Sequence, residues 1–138
     1  MSDIKNIFDI SGRAMSAQLT RLNTVASNLA NANNVSGSID NAYRAIKPVF
    51  ETKFADSLKQ SGIASVDAVQ IKEVNRLPEK VYMPEHPQAN EEGFIFNAAV
   101  NVEEELVEML EASRQYQNNI EVVSTLRSLM MRTINMGK

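Results

Sequence analysis

The single histidine of the chain, His86, is the first residue that could do chemistry, because three carboxylates lie near it in sequence. Glu85, Glu91 and Glu92 could complete a metal site with it. Divalent metal sites draw their ligands at helical or hairpin spacing and often contain more than one histidine. Prolines two residues before and one residue after the histidine predict a loop instead. We therefore interpret His86 as a turn residue, and no metal or other cofactor is predicted.

A series of five glutamates could supply paired carboxylates for acid–base catalysis. They are Glu103, Glu104, Glu105, Glu108 and Glu111. These positions fall at the start of a predicted helix and mostly on its solvent side, and they lie in a stretch between Lys80 and Arg114 that contains no other Lys or Arg. An acidic surface that is solvated or faces a partner is the better interpretation. The chain also has no Gly-rich phosphate loop and no nucleophile elbow, so no catalytic residue is predicted.

The overall composition excludes several other classes of function. Hydrophobic residues make up 43% of the 138 residues and aromatic residues 6%, which predicts one folded domain with an aliphatic core. The net charge of -3 argues against binding to nucleic acid or to an anionic membrane. The chain has no cysteine, so it has no disulfide. The N-terminus lacks the layout of a secretory signal, which predicts a cytosolic protein or export without a cleaved signal.

The N-terminal segment has the spacing of a helix that packs along another helix. Over residues 3–33, side chains that alternate at intervals of four and three form a mostly apolar stripe. Its positions are Ile4, Phe8, Ser11, Met15, Gln18, Leu22, Val25 and Leu29. An Asn-rich segment with Gly37 supplies the predicted stop. The first segment is therefore predicted to be one long helix.

The C-terminal segment repeats the same spacing over a greater length. Its positions are Val102, Leu106, Met109, Ser113, Tyr116, Ile120, Val123, Arg127, Met130 and Ile134. Asn101 precedes this stripe and Glu104 follows three residues later, which resembles a capping box. The pattern predicts a helix of about 35 residues, roughly 50 Å long at 1.5 Å per residue. A helix of that length needs a partner of similar length to cover its stripe.

The middle of the chain differs from both ends. It contains all four prolines, and its apolar residues alternate with period two near Phe50 and Ile71. Further short strands are predicted near residues 80–83 and 93–96, with a turn near residues 60–62. The chain is thus predicted to be mainly α with a small β-rich insert, an α+β protein. Residues 1–35 and 100–138 form helices paired as a coiled coil, and residues 36–99 form the hairpin and loop insert.

The stretch from residue 22 to residue 39 has no charged side chain but contains five asparagines. A helix that faces water usually carries Lys and Glu on its outer face. A surface of Asn, Ser, Thr and Ala permits close approach of other backbones and hydrogen bonding across an interface. An ordinary polar helix end followed by an Asn-rich turn explains the same composition, and both interpretations remain open at this point.

Four stretches of the chain resemble a known family. Residues 26–33 read ASNLANAN, which resembles an element near the N-terminus of flagellar rod and hook proteins. YRAIKPVF at 43–50, HPQANEEGF at 86–94 and EASRQYQNNIEV at 111–122 resemble its proximal-rod branch, FlgC. Another flagellar axial subunit, from the rod or the hook junction, is the nearest alternative. A cytosolic coiled-coil adaptor is the other alternative, but it leaves these motifs unexplained.

The resemblance implies a structural subunit of the bacterial flagellar basal-body proximal rod and no enzyme activity. It implies that the terminal helices form the assembly domain and stack helically into a drive shaft that transmits torque and encloses part of the export channel. The implied partners are further copies, other rod proteins, the rod adaptor with the membrane ring, and the flagellar type III export apparatus. Nucleic acid and direct lipid binding are not expected. The implied location is the rod that crosses the periplasm, reached without a cleaved signal peptide.

The expected assembly interface comes from the two stripes and from the matched motifs. Its residues are Leu22, Val25, Asn28, Leu29, Asn31, Asn33, Leu106, Met109, Arg114, Tyr116, Asn118, Ile120, Val123, Met130 and Ile134. Each is expected to act through packing or hydrogen bonding. Met130 lies in a Met-rich helix end, and such a surface adapts readily to a partner.

Overall fold

A computed structural model describes residues 2–53 and 65–137 of the chain. Its elements, in order, are α1 (Ser2–Asn31), β1 (Val35–Ser36), β2 (Ile46–Lys53), β3 (Ser65–Glu73), β4 (Lys80–Tyr82), β5 (Phe94–Asn97) and α2 (Val102–Met136). Two long helices thus enclose a small β-rich region in sequence. This order confirms the predicted α+β class.

The two helices pack against each other and run in opposite directions. Strand β1 begins four residues after α1 ends, and β5 ends five residues before α2 begins. These two strands pair, with Val35 opposite Asn97, so the end of α1 lies beside the start of α2. Among the described residues, no helix is both long enough and apolar enough to cross a membrane.

The start of α2 is capped as the sequence predicts. The Asn101 side-chain oxygen accepts hydrogen bonds from the backbone N–H groups of Glu103 and Glu104, at 3.0 and 3.2 Å. The Asn101 amide nitrogen in turn donates to the Glu104 carboxylate at 3.3 Å. The cap satisfies backbone donors that have no partner within the helix. Three glutamates in the first turn also suit the positive end of the helix dipole.

The covered side of α2 differs from the predicted stripe at every second position. The buried and half-buried positions that define this seam are Glu105, Met109, Ala112, Tyr116, Asn119, Val123, Leu126 and Met130. Four of them belong to the predicted stripe, and the other four precede a predicted position by one residue. Ala112 is fully buried, and its small side chain lets the two helices approach closely. The predicted stripe and the observed seam both repeat every seven residues, so the spacing alone could not decide between these two sets of positions.

The predicted stripe of α1 is confirmed for the seven members whose side chains the structure describes. Each of them, from Phe8 to Leu29, is buried or half-buried. The covered side of α1 is wider than this stripe, because Ala17, Thr24 and Asn28 are buried as well. The extra width reflects a second contact, since α1 packs against strands β2 and β3 in addition to α2.

Strands β2 and β3 form an antiparallel two-stranded sheet. The register shifts between Val49 and Phe50, which indicates a β-bulge. Phe50 lines a small cavity together with Ala14 and Ala17 of α1, so this strand turns an aromatic side chain toward the helix. The predicted turn near residues 60–62 lies outside the described residues.

A second sheet has the strand order β1–β5–β4. Its central strand places Ile95 in the core at 3% exposure. The loop before β5 ends at Gly93, whose φ of 80° is unfavourable for other residues. A Cβ atom there would lie 3.0 Å from the Tyr82 ring and 3.1 Å from Pro84. Strands β4 and β5 match the two short predicted strands, whereas β1 was not predicted.

Candidate assembly interface

Asn28 is the largest fully buried side chain among the described residues. Its amide nitrogen donates to the Ile46 carbonyl at 2.9 Å, and its amide oxygen accepts from the Ile46 N–H at 2.9 Å. The same oxygen accepts a hydrogen bond from the Tyr43 hydroxyl at 3.0 Å. The side chain therefore pairs with the first residue of β2 as a neighbouring strand would. Asn28 joins α1 to the β-rich region within one subunit.

The uncharged stretch thus has an intramolecular role at its centre. Asn31 donates to the Ser27 carbonyl one turn earlier at 2.8 Å, and Asn34 donates to the Asn31 side chain at 2.7 Å. Ser27 lies 3.4 Å from the Tyr43 hydroxyl. These short polar side chains thus bond to one another, to the Tyr43 hydroxyl and to a helix carbonyl at the end of α1. Asn33 is exposed and stays available to a neighbouring subunit.

An ion-pair cluster links the middle of α1 to the first turns of α2. The Arg21 guanidinium donates to Glu108 from its Nε atom at 2.8 Å and again from Nη2. The same Nη2 atom lies 3.5 Å from Glu111, and Lys47 of β2 lies 3.9 Å from Glu108. Arg21 and Glu108 are largely shielded from solvent, with side-chain exposures of 21% and 29%. The cluster therefore orders three elements against one another.

The acidic start of α2 is compensated in part by bases that are distant in sequence. Besides Arg21 and Lys47, Arg76 donates to both carboxylate oxygens of Glu104 at 3.0 Å. We predicted that these glutamates would be solvated or face another subunit. The structure corrects this interpretation for Glu105, which is buried at 2% exposure, and for Glu108, which is largely shielded and pairs with Arg21, whereas Glu104 pairs with Arg76 and remains exposed to solvent.

The predicted interface residues divide into two groups in the subunit. One group is buried or half-buried: Leu22, Val25, Asn28, Leu29, Asn31, Met109, Tyr116, Val123 and Met130. The other group is exposed: Asn33, Leu106, Arg114, Asn118, Ile120 and Ile134. The first group lies mainly at the contacts of α1 with α2 and β2. The second group remains free to contact another molecule.

Large apolar side chains are exposed along α2 beside the seam. We define the outer stripe as Val102, Leu106, Ile120 and Ile134. Their exposures range from 43% for Leu106 to 57% for Ile134. A helix turns about 100° per residue, so these positions lie beside the seam. Apolar side chains repeated along one helix face mark a surface for a protein partner.

His86 lies in a turn, as predicted, and takes part in local hydrogen bonds. Its Nδ1 atom accepts from the Gln88 N–H at 3.2 Å, and its backbone N–H donates to the Met83 carbonyl at 3.1 Å. Gly37 approaches this loop closely, because a Cβ atom there would lie 2.8 Å from the Gln88 carbonyl oxygen. In residues 2–53 and 65–137, no group of three acidic or histidine side chains is arranged to hold a metal ion.

Comparison with known proteins identifies the family. The family model described as flagella basal body rod protein matches residues 8–37, and flagellar basal body rod FlgEFG protein C-terminal matches residues 91–136. The flagellar basal-body rod protein FlgC of Escherichia coli O6:H1 is 40% identical over 96% of this chain and 97% of that protein. FlgC of Salmonella typhimurium is 41% identical over the same shares, and FlgC of Aquifex aeolicus is 35% identical over both full lengths.

The chain belongs to the FlgC family of flagellar basal-body rod proteins. It is a structural subunit of the flagellar proximal rod and not an enzyme. As a rod protein it is located in the basal body and assembles with other rod components. The two matched ranges contain most of α1 and all of α2, so the family models cover the paired helices of this rod protein.

Sequence reasoning missed two contributors to the rod subunit. Glu105 was grouped with the solvated glutamates, although it stands four residues before Met109 and seven before Ala112 in the seam. That spacing could have identified it as inward-facing, but its charge argued against burial. Tyr43 was noted only as part of a motif. Its bond to Asn28 joins residues 15 positions apart, and no local pattern predicts such a partner.

Proposed function

We propose that this rod subunit assembles helically with further copies and with other rod proteins through residues 1–35 and 100–138. The assembled helices form a drive shaft that transmits torque, and they line part of the export channel. The observation that carries the proposal is the outer stripe of α2, which stays exposed after α1 and α2 have paired. One face of α2 thus holds the subunit together, and the adjacent face is available for a neighbour.

The energetics of the outer stripe support a role in assembly. Burial of one large aliphatic side chain contributes about 1.5–3 kcal/mol. Leu106, Ile120 and Ile134 are each about half exposed, so a neighbour that covered them would gain a few kcal/mol from these three side chains. The same patch repeats on every copy. A head-to-tail contact that does not close on itself generates a helical filament.

The family resemblance supports the remaining parts of the proposal. The subunit meets the rod adaptor and the membrane ring at one end of the proximal rod and other rod proteins along it. It reaches the periplasm through the flagellar type III export apparatus, and no signal peptide is cleaved. The net charge of -3 supports protein contacts over binding to nucleic acid or lipid.

The test replaces outer-stripe residues in a strain from which this gene has been deleted. The variant carries Leu106→Ser and Ile120→Ser, and the matched control carries Gln115→Ser and Val122→Ser, which are exposed on another side of α2. Basal bodies are purified and their content of this chain is measured. We expect the wild-type chain and the control in basal bodies, and the variant to be depleted.

Two outcomes would contradict parts of this proposal separately. If the wild-type chain does not purify with basal bodies, assembly of this chain into the rod is wrong. If the wild type is present but the Leu106/Ile120 variant is incorporated equally well, the outer stripe is not the assembly surface. Circular dichroism of the purified variant checks that helix content is retained, as expected for changes at exposed positions.

A further inference from the structure

Glu105 is a buried carboxylate that has no partner among the described residues. Its side chain is 2% exposed, and its Oε2 atom has no hydrogen bond within residues 2–53 and 65–137. The nearby cations are engaged elsewhere, since Arg21 pairs with Glu108 and Glu111 and Lys47 lies closest to Glu108. An unpaired buried charge is costly, and buried charges in proteins are normally paired. The subunit alone therefore leaves this carboxylate available to a donor from outside.

The carboxylate lies in the wall of a cavity between α1, α2 and β2. The cavity has a volume of about 320 Å³ and is lined by apolar Val25, Ile46 and Phe50 and by four charged side chains, of which Arg21 and Lys47 lie against Glu108 and leave Glu105 without a cation among the described residues. A surface groove of about 470 Å³ adjoins it, because Lys47 and Glu108 line both. The volume is at the lower end of the range for small-ligand pockets. There is room for one long side chain, which can approach along the groove.

The residues that line the cavity indicate which kind of side chain could bind there. Apolar walls beside a carboxylate fit a side chain with a methylene stem and a cationic head, which describes Arg and Lys. Arg is favoured over Lys because its guanidinium binds carboxylates through two parallel hydrogen bonds and is more weakly hydrated. A metal ion fits less well, since no cluster of metal ligands exists among the described residues.

A second copy of this chain carries suitable arginines. Arg127 and Arg132 are exposed near the end of α2 and have no ion pair in the described part of the chain. The start of α2 is acidic over three turns, so its two ends have opposite charge. We propose that Arg127 or Arg132 of an adjacent copy, stacked head to tail, enters the cavity and pairs with Glu105. This inference rests on the proposed helical assembly and names one contact within it.

Crosslinking in basal bodies tests the contact directly, because the natural chain has no cysteine. A variant with Val107→Cys in the groove and Met131→Cys between the two arginines is expressed in the deletion strain, and purified basal bodies are treated with a short bismaleimide. Both positions are exposed in the subunit. We expect dimers and higher multimers of this chain. Each single-cysteine variant, and a control pair of Val107→Cys with exposed Asp40→Cys, should remain monomeric.

Neutralisation of the proposed partners tests whether their ion pair strengthens the association of adjacent copies. Glu105→Gln is compared with the double variant Arg127→Gln/Arg132→Gln and with all three changes together, in strains that express only the variant. Loss of one charge-assisted hydrogen bond weakens association at least about tenfold, so each strain should recover less chain in basal bodies. Each of the three variants lacks the same ion pair between Glu105 and an arginine. The triple variant should therefore be recovered in basal bodies in the same amount as the other two. Glu121→Gln, at an exposed position of the same helix outside the cavity and the groove, is the control.

The outcomes separate this inference from the proposed function. If wild-type chain is present in basal bodies but the cysteine pair gives only monomer, or only crosslinks to a different protein, the head-to-tail contact is wrong. If the arginine double variant is incorporated like wild type, the inference is wrong whatever Glu105→Gln does, since both arginines are exposed and their loss leaves the fold intact. If the triple variant is recovered in basal bodies in a smaller amount than either of the other two variants, Glu105 and the arginines act independently and are not partners.

Discussion

Replacement of Asn28 by alanine should destabilise the subunit more than any other exchange of asparagine for alanine on α1. The change removes the partners of both the Ile46 N–H and the Ile46 carbonyl, and it removes the acceptor of the Tyr43 hydroxyl. A buried polar group left without a partner costs about 1–3 kcal/mol. Two backbone groups therefore cost about 2–6 kcal/mol, and the better helix propensity of alanine offsets only about 0.5 kcal/mol.

Thermal or urea unfolding of the purified chain, followed by circular dichroism, measures this loss. For a domain of this size a loss of 1 kcal/mol lowers Tm by about 3–4 °C, so Asn28→Ala should lower Tm by roughly 10 °C. Asn23→Ala is the matched control, because Asn23 is exposed on the same helix. It should leave the stability unchanged or raise it slightly. If the two variants unfold alike, the assigned role of Asn28 is wrong.

The isosteric exchange Asn28→Asp separates hydrogen bonding from packing. It replaces the amide donor by a second oxygen opposite the Ile46 carbonyl, so at pH 7 it buries a charge against an acceptor. Burial and this carbonyl raise the pKa of the introduced carboxyl above its unfolded value of about 3.9. The destabilisation is thus complete at pH 7 and declines as the pH falls through the raised pKa. A loss of stability that is independent of pH from 7 to 4 would contradict this reasoning.

Three further predictions follow from the same contacts. Gly12→Ala should raise the free energy of unfolding by up to about 1 kcal/mol, because nothing lies within 4 Å of the added Cβ. Gly93→Ala should lower it by about 1–3 kcal/mol, because the backbone of Gly93 has a positive φ. Unfolding curves in which both variants shift stability in the same direction would contradict this pair of predictions. Arg21→Ala and Glu108→Ala should show a coupling of about 1 kcal/mol in a double-mutant cycle measured by urea unfolding, and strict additivity would refute the pairing. Elemental analysis should find no stoichiometric zinc or iron, since His86 Nδ1 accepts a bond within its own turn and the described residues contain no cluster of metal ligands.

The helices were predictable because their signals are local. The four-three spacing, the Asn101 cap and the length of α2 all depend on residues within a few turns of one another, and each is confirmed. The outward position of Leu106, Ile120 and Ile134 was not predictable. A heptad pattern defines a helix face only to within one residue. The packing of the folded subunit, in which Ala112 is fully buried, decides which of two neighbouring residues is covered.

The amino-acid sequence by itself determined the fold class, the two long helices, the turn at His86 and, through four short motifs, the rod protein family. Only the tertiary structure decided what Asn28 and Glu105 do. Asn28 finds its partners 15 and 18 residues away, and Glu105 is buried beside cations that other carboxylates already hold. Such roles depend on which distant groups the fold brings together. Composition and periodicity record only what each residue is and which face of its own element it occupies.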